Sequence, residues 1–238
     1  MAERPRTSGR PPAHLEPYSA GGIAVDTFLA PTFGQNAYVV RDEESGAAVA
    51  VDPGGAAAAM AAALETAGAR LEAILLTHAH YDHIEGVPAL LARHDVPVRL
   101  PAGDRALYEH VGEQARMFGL PDVDLPAPDA GLEPGDVVTF GRARLAVRPA
   151  PGHSPGHVIL VGEAGGFALV GDVIFLGSIG RTDLPGGDFH TLIASIREQV
   201  LTLPDETVLF SGHGPPTTVG HERRSNPFLV PQYGGRLA

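Results

Sequence analysis

Apolar residues along this chain fall in short bursts closed by Gly, Pro or Asp, alternating with stretches of helical period. Ile23–Leu29, Ala37–Val40 and Ala47–Val51 read as strands, the last ending at Asp52-Pro53-Gly54-Gly55. Ala56–Ala67 is Ala-rich with Met60 and Leu64 at helical spacing, which predicts a helix. Glu72–Leu76 is a short buried strand, and Val87–Arg93 and Asp104–Phe118 read as helical on either side of a strand at Val96–Leu100. The second half repeats the rhythm, with strands at Val137–Phe140, Arg144–Arg148, Val158–Val161, Phe167–Val170 and Thr207–Phe210. Between the last two, Phe189–Leu201 sets Leu192, Ile193, Ile196 and Val200 on one helical face. Strands in two groups, each followed by helices, predict two packed sheets with helices outside.

No linker separates the halves. Gly119–Pro134, rich in Pro and Asp, reads as a surface loop, so one domain is expected over 21–238 behind a disordered leader, 1–20. The leader carries Arg4, Arg6 and Arg10 but lacks the apolar stretch of a secretory signal. Every apolar run is interrupted before it reaches the ~18 residues of a membrane span, and a cytoplasmic setting is expected. At 238 residues with 44% apolar positions the chain can bury a sizeable core. Its net charge of −11 argues against a nucleic-acid surface. Cysteine is absent, which removes disulfides, thiolate metal sites and a Cys nucleophile.

The informative feature is where His and Asp fall. The run Ala73–Leu76 is followed at once by His78, His80, Asp82 and His83. Leu145–Val147 leads to Gly152-His153, Phe167–Val170 to Gly171-Asp172, and Val208–Phe210 to Gly212-His213-Gly214. Four strands thus each deliver a ligand-type residue just past their C-terminal ends, where loops on a rigid scaffold gather functional groups. In extended chain, residues i and i+2 point the same way, so His78 and His80 can grip one metal while Asp82 and His83 reach a second. Five imidazoles and two carboxylates without thiolate suit zinc, iron or manganese with open coordination positions. Small neighbouring glycines permit close backbone approach at these turns. His14, His94, His110, His190 and His221 read as surface groups, and His157 as support for the local fold. The helical metalloprotease motif, the nucleophile elbow and the phosphate loop are all missing.

The His-x-His-x-Asp-His at 78–83 and the three later loops resemble the metallo-β-lactamase superfamily, from about Ile23 to Phe228. The resemblance implies an α/β fold, a four-layer αβ/βα sandwich, with two divalent ions at one edge of the sheets. It assigns His78, His80 and His153 to the first ion and Asp82, His83 and His213 to the second, with Asp172 bridging. Zinc is the expected metal, with iron and manganese compatible. Gly180-Arg181-Thr182-Asp183-Leu184-Pro185-Gly186-Gly187 and the tail Thr218–Phe228 resemble glyoxalase II-like thioesterases and the related persulfide dioxygenases. The match is to a short type without the C-terminal helical domain, and Arg181 stands near a glutathione-binding Lys of the longer enzymes. The likeness implies a hydrolase in which a metal-bridging hydroxide attacks a thioester such as a hydroxyacylglutathione. Asp82 is the expected handler of the water proton. Arg181 is the candidate anchor for a substrate carboxylate, or else a salt-bridge partner of Asp183 or Asp188; Tyr81 lines the mouth or packs. The alternatives are a persulfide dioxygenase with one iron on His78, His153 and Asp172, and a lactonase or other hydrolase of the same fold. The expected partner is a small-molecule thioester, with no nucleic acid and no membrane.

Overall fold

The computed structural model describes residues 17–230. A first sheet runs in chain order: β1 (Tyr18–Ala20), β2 (Ile23–Leu29), β3 (Asn36–Asp42), β4 (Ala47–Val51), β5 (Arg70–Leu75), β6 (Val98–Leu100) and β7 (Ala130–Gly131). Its pairings are antiparallel through β4 and parallel from β4 to β7. The remaining strands are β8 (Val137–Phe140), β9 (Ala143–Pro149), β10 (Val158–Gly162), β11 (Phe167–Gly171), β12 (Ile174–Phe175), β13 (Ser178–Ile179), β14 (Val208–Ser211) and β15 (Thr217–Thr218). Of these, β12 and β13 pair with each other, and the others form a second sheet ordered β15-β14-β11-β10-β9-β8. The helices are α1 (Ala57–Ala67), α2 (Tyr81–Ile84), α3 (Val87–Leu91), α4 (Arg105–Glu109), α5 (Val111–Phe118), α6 (Phe189–Ser195) and α7 (Val219–Ser225).

Side-chain alternation explains the layering. In β4, Val49 and Val51 point to the apolar layer between the sheets, while Ala48 and Ala50 face the core under α1. In β10, Val158 and Leu160 enter the inter-sheet layer, and Ile159 and Val161 pack with Leu192 and Ile196. Because both faces of these strands are covered, the sequence shows them as unbroken apolar runs. Three apolar layers between two sheets and two helix groups make the αβ/βα sandwich.

Several boundaries differ from expectation. The leader expected through residue 20 gives way to structure earlier, since Tyr18–Ala20 pairs with β2 and Tyr18 sets its ring edge-on to Phe167 and Phe210. Residues 1–16, with the three arginines and His14, lie outside the described residues. The helix expected at 104–118 is two helices, broken where His110 leaves helical dihedrals (φ −103°, ψ 27°). The 189–201 helix loosens into a π-helical turn at Ile196–Val200, and β7 emerges from the expected loop to extend the first sheet.

Strand direction places the site. β9, β11 and β14 run the same way, as do β4 and β5, so their C-terminal ends meet at one edge of the sandwich. Backbone bonds sew the sheets together there: Val158 N–H donates to Thr77 O, and Asn36 N–H to Gly212 O.

Candidate metal centre

All seven predicted ligand residues converge at that edge. His78, His80 and His153 place one ligand atom each within 4.8 Å of one another, and so do Asp82, His83 and His213. Each trio takes residues from the loop after β5 in the first sheet and from a loop of the second. Asp172, just past β11, sits between them. Its Oδ2 is 3.5 Å from His153 Nε2 and 3.6 Å from His213 Nε2, and its Oδ1 is 3.4 Å from His83 Nε2. His80 Nδ1 lies 2.8 Å from His153 Nε2, and His213 Nε2 lies 3.2 Å from Asp82 Oδ2.

Outer partners set which ring nitrogen faces the centre. Thr77 donates its hydroxyl to Asp52 Oδ2 (2.6 Å), so His78 Nδ1–H donates to Thr77 Oγ1 (3.1 Å). His153 Nδ1–H donates to Arg181 O (2.7 Å), and His83 Nδ1–H to Asp52 Oδ2 (3.0 Å). In all three rings Nδ1 is taken up by these partners and Nε2 faces the centre. His78 Nε2, His83 Nε2 and Asp172 Oδ1 are buried without a hydrogen-bond partner. Buried polar atoms left unpaired are costly, and here they converge among imidazoles and carboxylates, the donor set that divalent ions take. The residues present therefore fit two metal ions.

A third trio, Asp52, His78 and His83, is also close enough to hold an ion. Asp52, however, already accepts from Thr77 N, Thr77 Oγ1 and His83 Nδ1, which makes it an orienting group.

Burial and the neighbouring carboxylates pull the histidines of the centre in opposite directions. Burial, followed by neighbouring histidines, holds the His78 imidazole well below its ordinary pKa, and burial and His153 bring His80 down to about 3. Both are neutral, as ligation requires. Burial also pulls His83 down, but Asp172 and Asp82 outweigh it and raise it. Burial favours a protonated Asp172, yet His83, His153 and His213 hold it ionised.

Two buried carboxylates do structural work that sequence reading passed over. Asp52 ends β4 in the same way that Asp172 follows β11, and it is the described non-Gly residue with a positive φ, 48°. The pattern of an apolar run ending in Asp was there to be read. Asp104 precedes α4, caps nothing, and instead accepts from Ala79 N (3.0 Å), Ser154 Oγ (2.6 Å) and Gly156 N (2.6 Å). It thereby ties the loop of His78 and His80 to that of His153. On the other flank, Asn36 Nδ2 donates to Ser211 O and Gly214 O, fixing the turn that carries His213. At Gly212 a Cβ would collide with Asp172 Oδ1, so the close approach requires glycine. His157 stacks on His78 at 4.7 Å and accepts from Asp172 N, a supporting role as expected.

The centre opens into a cleft of about 340 Å³ lined by His80, Asp82, His153, Asp172 and His213. Arg181 also lines it but pairs bidentately with Asp183 at 2.7 and 2.9 Å. Tyr81 lines it too, with its hydroxyl given to Pro121 O at 2.9 Å. His110, His190 and His221 are exposed; His94 is half-buried.

Comparison with known proteins gives a consistent answer. The sequence pattern of the metallo-beta-lactamase superfamily matches residues 30–213. Hydroxyacylglutathione hydrolase GloC of Haemophilus influenzae is 40% identical over 199 residues, covering 83% of this chain and 93% of that protein. The probable metallo-hydrolase YqgX of Bacillus subtilis is 37% identical over 196 residues, covering 82% and 92%. Among solved structures, the BLEG-1 B3 metallo-beta-lactamase is similar with a TM-score of 0.81 at 38% identity, covering 87% of this chain and 99% of that one. TTHA1623 in a di-iron-bound form is similar with a TM-score of 0.77 at 41% identity, covering 90% and 100%. Both the matched span and the identity to these relatives place the sequence with them: the chain belongs to the metallo-beta-lactamase superfamily.

Proposed function

We propose that this metallo-hydrolase cleaves thioesters, with glutathione as the thiol portion. The observation that carries the reading is two complete donor trios sharing Asp172, one more trio than a mononuclear iron dioxygenase needs. Similarity to hydroxyacylglutathione hydrolase GloC supports the thioester. His78, His80 and His153 would hold one ion and Asp82, His83 and His213 the other, with the Asp172 carboxylate lying between the two trios. Zinc is the first expectation, and the di-iron form of TTHA1623 makes iron its competitor. Bound there, two divalent ions supply an acidified water and polarise a carbonyl oxygen.

The chain's own residues do the rest. Asp82 Oδ2 borders the cleft and receives the proton of the attacking water. A carbon–oxygen bond forms at the carbonyl as the carbon–sulfur bond breaks, and the proton passes to the departing sulfur. Asp52 and Thr77 keep His83 and His78 aimed inward. Arg181 offers its guanidinium to a carboxylate of the thiol portion in exchange for Asp183. Tyr81, with its hydroxyl occupied, lines the mouth with its ring.

The test is Asp172→Ala, with metal content and turnover of lactoylglutathione measured together against a lactone and a β-lactam. Loss of both metal and thioester turnover is expected. Full turnover with two ions still bound would overturn the assignment, and a single iron with oxygen uptake in the unaltered protein would establish a dioxygenase instead.

A further inference from the structure

The cleft beside the metal groups has a wall that metal chemistry does not explain. Helix α5 turns Val111 and Ala115 inward and leaves Met117 61% and Phe118 48% exposed at its last turn. Phe33, 37% exposed, lines the same cleft and sets its ring edge-on to Tyr81 at 6.5 Å. Large apolar side chains in the open, at the rim of a cleft holding convergent polar groups, mark a surface that a ligand covers.

Charge divides the cleft. Among its described lining residues Arg181 is the one Lys or Arg, while Glu113 stands on α5 itself. A substrate arm bearing carboxylates therefore finds a partner at Arg181 and is repelled by Glu113. Beside α5 an anionic arm gains nothing, and an uncharged chain gains the burial of Met117, Phe118 and Phe33.

We propose that Phe33, Met117 and Phe118 hold an apolar acyl chain, so that the preferred thioesters carry an acyl group longer than lactoyl. This rests on the thioester reading above and adds to it the class of acyl group.

The test is calorimetric binding of straight-chain carboxylates, acetate to octanoate, to the metal-loaded protein, since these are the acid products of the acyl arm. Affinity should rise about two- to fourfold per methylene for a chain leaving water. In the double variant Met117→Ser with Phe118→Ser, whose side chains are exposed and outside the metal trios, acetate should bind as before and the rise should flatten. Equal affinity for acetate and octanoate, or an unaltered rise in the double variant, overturns the proposal. A flat series together with a dimer that the double variant dissociates, seen by light scattering, would assign the lip to a second copy of this chain. Turnover of S-acylglutathiones of increasing length separates the two readings. Lactoylglutathione turnover with a flat carboxylate series defeats the lip alone. A steep carboxylate series with no thioester turned over defeats the thioester and leaves the chain-binding lip standing.

Discussion

Asp104→Asn is the most informative single substitution outside the ligands, because it preserves volume and removes one acceptor. In the native chain Oδ2 accepts from both Ala79 N and Ser154 Oγ, and Oδ1 accepts from Gly156 N. An amide nitrogen placed towards Ser154 also confronts Ala79 N–H, and the flipped amide confronts Gly156 N–H. Either way one buried backbone donor loses its acceptor, at a cost of about 1–3 kcal/mol. The loss falls on the tie between the loop of His78 and His80 and the loop of His153. Metal affinity should therefore drop about 10–100-fold, the usual scale for losing an outer partner. Zinc affinity by chelator competition reads the second effect, and urea unfolding of the metal-free protein reads the first. Asp183→Asn, an exposed carboxylate, serves as the control and should leave both unchanged. Zinc affinity within twofold of the unaltered protein, with no shift in the urea midpoint, would refute the claim that Asp104 couples the loops.

Asp52→Asn should weaken metal binding about 10–100-fold, because His83 loses the carboxylate that orients it, and calorimetric metal titration reads this. Arg181→Ala should raise KM for a glutathione thioester with little change in kcat, in steady-state kinetics; a fall in kcat alone would argue for a different role. Ile159→Ala, in the fully buried layer under α6, should cost about 2–5 kcal/mol in denaturant unfolding while the metal stoichiometry stays at its native value.

How much of this was legible in the sequence depends on which forces are local. The bounds of β2, β4 and β8 could be read directly, because an apolar run closed by Gly, Pro or Asp is itself the signal. The break at His110 carries only a weak mark, Gly112 two residues on, which falls inside the first turn of α5. β7, at two residues, owes its existence to the neighbouring strand. Metal-type residues stood out because each follows a buried strand. The ties among them did not: Asp104 looks like the start of a helix, and only the folded chain brings Ser154 and Gly156 to it, 50 residues later and more. Asp52 was visible as a strand end, but its bond to His83 spans 31 residues. Arg181 reads equally as an anchor and as an ion-pair partner, and the folded chain pairs it with Asp183.

Each donor trio draws from both sheets, and that has a mechanical consequence. Ions held there would act as staples across the joint between two halves of the chain, closing loops that run from residue 78 to 153 and from 82 to 213. Stability then depends on free metal as RT ln(1 + [M]/Kd), about 2.7 kcal/mol at a hundredfold excess over Kd. Because Asp172 touches both trios, the first ion to bind sets the carboxylate that the second needs, so loading should be cooperative. Chelation then loosens the seam as well as silencing the chemistry, and protease cleavage near the joint, between the Thr77 and Val158 loops, should track metal content.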